Sequence, residues 1–125
     1  MKLYLSGKMS GLEHFNFPEF HRVTGLLREA GHEVYNPAEA DSDPETGLPD
    51  PEKCALPREV FLRRDVMVIA SRKLGVVLMP SWKESIGAKL EAAVAQYLGL
   101  PVYAFVEESP WRLEELREPT RIEVA

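Results

Sequence analysis

Four short segments rich in apolar, β-branched and aromatic residues alternate with longer amphipathic segments, and this alternation restricts the possible fold more than any other feature of the chain. The four segments are Lys2–Ser6, His32–Asn36, Leu74–Met79 and Pro101–Val106. Their length and composition predict β-strands. Because strands that alternate with helices pair in parallel and carry helices on both faces of the sheet, the sequence predicts an α/β fold.

The segments between these predicted strands carry the spacing and the end signals of helices. Pro18 suits the first turn of a helix whose apolar residues recur at helical spacing up to Gly31. Helices are also predicted over Pro57–Ser71 and Ser85–Leu98. The β-branched run Val66–Ile69 leaves a strand open as the alternative for the second half of the former.

Three other parts of the chain are less regular. The segment Pro37–Leu56 is rich in proline and acidic residues, which predicts a lid, an interface or a disordered insert. Its acids are spaced partly like those of a calcium loop, but Thr46 stands where such a loop needs glycine, so no metal site is predicted there. A last helix is predicted from Ser109 to Leu116, and the tail Arg121–Val124 forms either a short extra strand or no regular structure.

The composition limits the classes of partner. A chain of 125 residues with 45% hydrophobic residues suits one domain, residues 1–125. The net charge of −5 argues against nucleic-acid polymers and anionic membranes as main partners, but it leaves room for a small phosphorylated ligand. The single Cys54, with no secretory signal and no apolar run of membrane-spanning length, predicts a cytoplasmic protein. The histidines lack metal-ligand spacing, which argues against a zinc site.

Glu91 is the first candidate functional residue. On a helix, the residues three and four positions away are Gly87, Ala88, Val94 and Ala95, so none of them is a cation. A carboxylate on a stripe of small residues, one turn into the helix after a strand, is where an α/β protein presents a reactive group to a ligand. The alternative is a solvated glutamate on an exposed face.

Asp65 is the second candidate, because its helical neighbours are all apolar. They are Phe61, Leu62, Val68 and Ile69. A carboxylate within an apolar stripe is unfavourable unless it is paired or used in chemistry. The alternative is a buried aspartate that bonds to backbone groups of the loop at Gly7.

The first strand and the loop after it supply further candidates. Tyr4 and Ser6 share one face of the strand, because side chains alternate along a strand. A core tyrosine with a satisfied hydroxyl is the simpler interpretation of Tyr4. Lys8 and the backbone amides around Gly7 could cradle an anion where the chain leaves the strand.

The third loop and its helix supply the remaining candidates. Ser85 and the amide of Gly87 stand at a helix N-terminus, where an anion is favoured, although a plain N-cap is the simpler role for Ser85. Phe17 in the first loop and Trp82 in the third could stack on a planar base, because both loops would rise from the carboxyl edge of the sheet. The alternative is that these aromatic rings pack their loops against the domain.

Several motifs together resemble the nucleoside 2-deoxyribosyltransferase superfamily. They are Tyr4-Leu5-Ser6-Gly7, Asp65, and the stretch Ser85-x-Gly87-x-x-x-Glu91-x-x-x-Ala95. A phage-associated subfamily is resembled by Phe15-Asn16-Phe17-Pro18, Gly31-His32-Glu33-Val34, Arg63-Arg64-Asp65 and Trp82-x-x-Ser85. The resemblance implies a flavodoxin-like, Rossmann-like three-layer sandwich whose parallel strands are ordered 2-1-3-4, with a possible extra edge strand. It places the site between the first and third strands.

The same resemblance implies a role for each candidate. Glu91 would attack the anomeric carbon of a deoxyribosyl group and hold the sugar as a covalent ester. The Tyr4 hydroxyl would hold and tune Glu91, and Asp65 would contact the departing base and help protonate it. A second base or water would then take the sugar. No cofactor is expected.

Two residues depart from the pattern of the transferases. Ser85 replaces their aspartate, as it does in a similar hydrolase that cleaves deoxynucleoside 5′-monophosphates, and Lys73 stands where many relatives carry an aspartate. With Ser6 and Lys8, Ser85 favours a phosphorylated substrate and water as the acceptor. We therefore expect deoxyribosyl transfer or hydrolysis on a 2′-deoxynucleoside or its 5′-monophosphate.

Two alternatives from other classes stay open. Lys73 and Ser85 favour a nucleotide-binding module without chemistry, and a weaker interpretation is a structural or assembly protein. The relatives implied by the resemblance form dimers or larger rings, so a homo-oligomer is expected. Trp111 and the segment Pro37–Leu56 are the candidate contacts between its subunits.

Overall fold

The computed structural model describes residues 1–120, and these contain one five-stranded sheet. Its strands are β1 (Lys2–Ser6), β2 (Glu33–Tyr35), β3 (Gly75–Leu78), β4 (Val102–Val106) and β5 (Arg112–Glu115). The strand order is β2-β1-β3-β4-β5, with β5 antiparallel and the other pairs parallel. The predicted α/β class and the order 2-1-3-4 of the first four strands are therefore confirmed.

Four α-helices accompany the strands in the described part of the chain. They are α1 (Phe17–Glu29), the single turn α2 (Pro37–Ala40), α3 (Arg58–Arg72) and α4 (Ile86–Tyr97). The helix predicted over Pro57–Ser71 is confirmed, and the strand that its β-branched run left open does not form. Within residues 1–120, no helix has both the length and the apolar character that a membrane crossing requires.

Alternation along the strands divides the core between the two faces of the sheet. Leu3 and Leu5 face α1, where they pack with Phe20 and other apolar residues of that helix. Tyr4 faces the other way, toward α3 and α4, and packs with Ile69. On α4 the buried residues are mostly alanines, so this helix approaches the sheet closely. Side chains on the Tyr4 face of β1 therefore lie close to the backbone of α4.

The prediction of a last helix from Ser109 to Leu116 is wrong, because residues Arg112–Glu115 form the strand β5. Leu113 lies opposite Phe105 on β4, and the Trp111 ring packs against Phe105 with centroids 5.5 Å apart. The strand satisfies the backbone groups along the outer edge of β4, which a helix would leave open. An extra edge strand is thus present, and the predicted tail strand Arg121–Val124 lies outside the described residues.

The segment Pro37–Leu56 is ordered by bonds to its own backbone and to α1. Ser42 and Pro49 form an isolated antiparallel bridge. His21 Nε2 lies 2.7 Å from the Gly47 carbonyl oxygen and ties the segment to α1. Acids of the segment close local turns, as when Asp43 Oδ1 accepts the Glu45 amide at 2.9 Å. The disordered insert, one of the predicted alternatives, is therefore excluded.

The two edges of the sheet are short and charged. β2 has only three residues. Beside it, Arg28 donates through Nη2 to the Val34 carbonyl oxygen at 2.9 Å while its guanidinium pairs with Glu39. At the other edge, Arg112 of β5 lies 2.6 Å from a Glu108 carboxylate oxygen and 3.6 Å from one of Glu114.

Candidate active site

A cavity of about 310 Å³ opens at the carboxyl end of β1, between the sheet and the N-terminal parts of α3 and α4. This is the point where the strand order reverses between β1 and β3, the usual ligand site of an open α/β sheet. Polar and charged side chains of the wall are Tyr4, Ser6, Ser10, Asp41, Arg58, Asp65, Ser85 and Glu91. Apolar residues of the wall include Phe15, Phe17, Phe20, Phe61 and Leu62.

Glu91 reaches this cavity from α4 and is bound by two hydroxyl groups of β1. Its exposed fraction is 6%. Tyr4 Oη donates to Glu91 Oε2 at 2.5 Å, and Ser6 Oγ donates to Glu91 Oε1 at 2.8 Å. The structure therefore brings Tyr4, Ser6 and Glu91 together, and the alternative of a solvated glutamate is excluded. The small residues of α4 let the carboxylate come this close to β1.

Burial dominates the protonation of Glu91. Desolvation raises the pKa of Glu91 to about 8. The hydrogen bonds from Tyr4 and Ser6 favour the ionised carboxylate and oppose that rise, whereas the nearby charge of Asp65 adds to it. The pKa of the Tyr4 phenol is raised for the same reasons, by its own burial and by the charges of Glu91 and Asp65. At neutral pH the burial of the site therefore favours the protonated forms of Glu91 and Tyr4 while no ligand is bound.

Asp65 is the second carboxylate in the cavity wall, with an exposed fraction of 8%. Arg64 Nε donates to Asp65 Oδ1 at 3.1 Å. Desolvation raises the pKa of Asp65 above its ordinary value, and the charge of Arg64 and its hydrogen bond oppose that rise. Asp65 is thus paired with a neighbouring side chain rather than with the backbone at Gly7, which was its alternative partner.

Gly7 and Gly87 both lie in the cavity wall, and the backbone of Gly7 approaches its neighbour closely, whereas Gly87 has room for ordinary contact. A Cβ atom on Gly7 would lie 3.0 Å from Met79 Cβ, so a larger residue would push the end of β1 away from β3. A Cβ on Gly87 would lie 3.4 Å from Leu62 Cδ2. Ser85 is the N-cap of α4, because its Oγ accepts the Ala88 amide at 3.1 Å, and it also lies in the cavity wall.

Two predicted ligand-contacting residues lie elsewhere. Lys8 is outside the cavity wall, and its Nζ lies 3.8 Å from Glu84 Oε2. Trp82 is also outside the wall; it packs against the core on the α4 face, with Lys83 Nζ 5.8 Å from its ring centroid. For Trp82 the packing alternative therefore describes the structure better than stacking on a base.

Aromatic residues of the first loop do line the cavity. The Phe17 ring is buried and belongs to both the core and the wall, and the partly exposed Phe15 ring lies 6.4 Å from it. His14, Phe15 and Asn16 all have positive φ values, of 51°, 51° and 63°. Non-glycine residues adopt this left-handed conformation only when their surroundings impose it. The turn holds the Phe15 ring at the mouth of the cavity.

Sequence reasoning missed several residues of this site. Asp41 comes from the acidic segment and binds Arg64 through both carboxylate oxygens, at 2.9 and 3.0 Å. Arg58, at the start of α3, is the one basic side chain among the described residues of the cavity wall. Only the spacing of Arg58 and Phe61 on one helical face could have indicated that both reach the wall.

Metal-binding groups are not assembled in the described part of the chain. Among residues 1–120, no three or more His, Cys, Asp or Glu side chains are arranged to hold a metal ion. The acids nearest the cavity, Asp41, Asp65 and Glu91, have hydrogen-bonding partners among the side chains around them. The arrangement suits proton transfer and nucleophilic chemistry by carboxyl groups.

Comparison with known proteins gives a family but no characterised relative. Residues 1–104 match the model of a family described as a domain of unknown function, DUF4406. That range includes every residue of the cavity wall. No curated protein and no solved structure matches the chain. Since the match covers most of the 125 residues, the chain belongs to the DUF4406 family.

Proposed function

We propose that the protein breaks the N-glycosidic bond of a 2′-deoxynucleoside or of its 5′-monophosphate, with Glu91 as the nucleophile. The observation that carries the proposal is the buried Glu91 carboxylate, held on both oxygens by Tyr4 and Ser6 in the wall of a cavity of about 310 Å³. That volume lies within the range of small-molecule sites. A carboxylate fixed by two hydroxyls has a defined direction of attack.

The proposed reaction has two steps. In the first, the ionised form of Glu91 reacts after its proton has been lost to solvent, and one carboxylate oxygen forms a bond to the anomeric carbon while the carbon–nitrogen bond to the base breaks. The electron pair stays on the base, which takes a proton from Asp65. In the second, water attacks the anomeric carbon, returns a proton to Asp65 and releases the Glu91 carboxylate. A second base in place of water would give deoxyribosyl transfer.

Two further features support this proposal. The order of β2, β1, β3 and β4 agrees with the flavodoxin-like arrangement that the family resemblance implies. The residues that carry the resemblance, Tyr4, Asp65 and Glu91, lie around one cavity. We infer membership of the nucleoside 2-deoxyribosyltransferase superfamily from these features together.

A phosphorylated substrate is favoured by two features of the cavity wall. Ser85 caps the N-terminus of α4, where backbone amides attract anions. Arg58 adds a positive charge to the wall. Ser6 and Lys8 contribute less than expected, because the Ser6 hydroxyl is bound to Glu91 and Lys8 lies outside the wall.

The test is base release from a panel of deoxynucleosides and deoxynucleoside 5′-monophosphates, followed by chromatography. We expect release by the wild type, and a loss of about 10³-fold or more in Glu91→Gln, because the amide is a poor nucleophile. Glu84→Gln is the matched control, since that carboxylate lies outside the wall of the same cavity. Mass spectrometry of quenched wild-type protein should find a deoxyribosyl adduct on Glu91. Unchanged substrate throughout, or equal release by both variants, would reject the proposal.

A nucleotide-binding module is the second candidate, and one observation favours it. With a pKa of about 8, Glu91 is mostly protonated at neutral pH in the ligand-free protein, and a neutral carboxyl group is not a nucleophile. Calorimetry with deoxynucleoside monophosphates separates the two candidates. Heat from tight binding, with the nucleotide recovered intact, would support the module.

A further inference from the structure

One arginine that lies outside the cavity wall, Arg64, joins Asp65 of α3 to Asp41 of the acidic segment. Arg64 donates from Nη1 and Nη2 to the two carboxylate oxygens of Asp41, at 2.9 and 3.0 Å. The same guanidinium donates from Nε to Asp65 Oδ1 at 3.1 Å. Asp41 and Asp65 line the cavity, whereas Arg64 does not. One planar group therefore fixes two carboxylates of the wall from outside it.

The geometry restricts what Asp65 can do. The guanidinium is planar, so the two bonds to Asp41 fix its plane and with it the direction of Nε. The Arg64 side chain also lies over the Phe61 ring, with 5.3 Å from Cζ to the ring centroid, which limits its other rotamers. Asp65 Oδ1 is occupied by Nε. The second oxygen, Oδ2, makes no bond to Arg64, and the Tyr4 hydroxyl is the nearby protein group that also interacts with this carboxyl.

We propose that the Asp41–Arg64 pair is a positioning device that holds Asp65 with Oδ2 directed to the departing base. Arg64 and Asp41 are positioning residues here, because Arg64 acts on the reaction only through Asp65. The proposal rests on the function proposed above for Asp65. It also gives the segment Pro37–Leu56 a role. Because Asp41 belongs to this segment, the ordered conformation of the segment determines where Asp41 holds Arg64.

The charged and titratable groups that face Asp65 come from five parts of the chain. Arg64 lies on its own helix and Asp41 on the acidic segment, while Tyr4 of β1, Tyr35 of β2 and Glu91 of α4 share its electrostatic surroundings. Among these, only Arg64 carries a positive charge. Its removal should take away the positive charge bound to Asp65 and make the Asp65 carboxylate harder to ionise, although Arg58 stays in the same cavity wall.

The chain offers a matched control for the loosening of the acidic segment itself. Arg28 holds Glu39 of α2 with two bonds, of 2.9 and 2.6 Å, and so ties the same segment to α1. This pair lies outside the cavity wall. Arg28→Met therefore removes an equivalent tether without touching Asp65, whereas Arg64→Met and Asp41→Asn act on the device.

The experiment has a readout that needs no activity. The Asp65 carboxyl is followed by carbon-13 NMR in aspartate-labelled protein, with Asp65→Asn for assignment. In Arg64→Met we expect the titration midpoint of Asp65 to move to higher pH by about one to three pH units, and Arg28→Met should leave it in place. An unmoved midpoint in Arg64→Met would overturn the proposal.

Base-release kinetics supply the second readout. A misdirected Oδ2 should lower kcat by roughly 10- to 100-fold in Arg64→Met, with KM changed much less. Arg64→Lys should keep the Asp65 midpoint near its wild-type position but not restore kcat, because an ammonium group cannot hold both carboxylates in one plane. Asp41→Asn should lower kcat as well. This variant retains the positive charge of Arg64, so it tests the positioning role even if Arg64→Met folds poorly.

Each failure is distinguishable from a failure of the proposed reaction. Equal kcat values in Arg28→Met and Arg64→Met would overturn the positioning role while leaving base release intact. If the wild type releases no base, the proposed reaction is rejected. If the titration midpoint of Asp65 still moves in Arg64→Met but not in Arg28→Met, that result would support the interaction of Arg64 with Asp65 independently of the reaction.

Discussion

Burial favours the protonated form of Glu91, although two hydroxyl groups donate hydrogen bonds to its carboxyl oxygens. Each donor favours the ionised form, yet desolvation is the larger effect and raises the pKa of Glu91 to about 8. An unfolded chain would ionise the same group near its ordinary value of about 4.3. The stability that the protonated form contributes is therefore fully present below the unfolded pKa. It is lost as the pH rises through the folded one.

This linkage predicts that Glu91→Gln stabilises the fold relative to wild type as the pH rises from about 4 to about 9. Glutamine keeps the shape of the side chain and cannot ionise, so it avoids a loss on the order of a few kcal/mol at high pH. Urea unfolding of both proteins at the two pH values measures the difference. A difference in unfolding free energy that does not change with pH would show that Glu91 titrates normally.

Tyr4 is the donor on which the ionised state of Glu91 depends most. Tyr4→Phe removes the 2.5 Å bond, so we expect the pKa of Glu91 to rise and base release at pH 7 to fall by about 10²-fold. The pH–rate profile should move to higher pH. Tyr35→Phe is the control, because this ring stacks on Tyr4 at 5.7 Å but lies outside the cavity wall. Equal profiles for the two variants would contradict the role of Tyr4.

At the residue scale, the sequence predicts only part of the site. Glu91 and Asp65 stand out because each lacks a cation at the neighbouring helical positions, and the family resemblance connects them to Tyr4. Asp41 gives no such signal, because it is one of five acids between positions 41 and 52. Arg64 bonds to its sequence neighbour and to a residue 23 positions away, and helical spacing shows neither bond.

At the scale of elements, local signals are enough for most helices and strands. The segments with their own end signals, such as α1 and α4, form within two residues of their predicted bounds. The prediction fails for β5. Its conformation is determined by pairing with the outer edge of β4, and the spacing of residues within the segment does not show that pairing. Trp111 and Leu113 have the two-residue alternation of a strand, but the segment is too short for that pattern to exclude a helix.

The end of α3 allows a direct test of an element boundary. Lys73 ends the helix with φ 54° and ψ 51°, a left-handed conformation that favours glycine. We expect Lys73→Gly to increase the free energy of unfolding by about 0.5–1 kcal/mol, measured by urea denaturation. Lys73 lies before the start of β3, at the edge of the sheet opposite the cavity. Nucleotide binding by this variant should therefore equal that of wild type, and a change would contradict this placement.

At the scale of the whole molecule, the homo-oligomer stays a prediction. Trp111 packs against Phe105 of its own chain, which leaves the helices as better candidates for a contact. On α3 and α4, the exposed fractions are 68% for Met67, 56% for Ile86 and 92% for Tyr97. Association surfaces are contiguous apolar patches, so these three side chains are the candidates for a contact that the experiment below can test.

Sedimentation velocity over a range of protein concentrations tests this prediction. We expect the wild type to sediment as a dimer or larger species, and Met67→Glu to weaken the association because it would bury an unpaired charge. Leu12→Glu is the control, since Leu12 is an exposed apolar residue of the first loop. A monomer at every concentration would reject the homo-oligomer.

The short, charged edges of the sheet have a consequence for behaviour in concentrated solution. Strands that end a sheet offer unpaired backbone groups on which further chains can stack. Here β2 is three residues long with an arginine on one of its carbonyl groups, and β5 carries paired charges. Fibril-like growth through these edges is therefore disfavoured, and preparations of this protein should tolerate crowding and storage better than a sheet with long apolar ends.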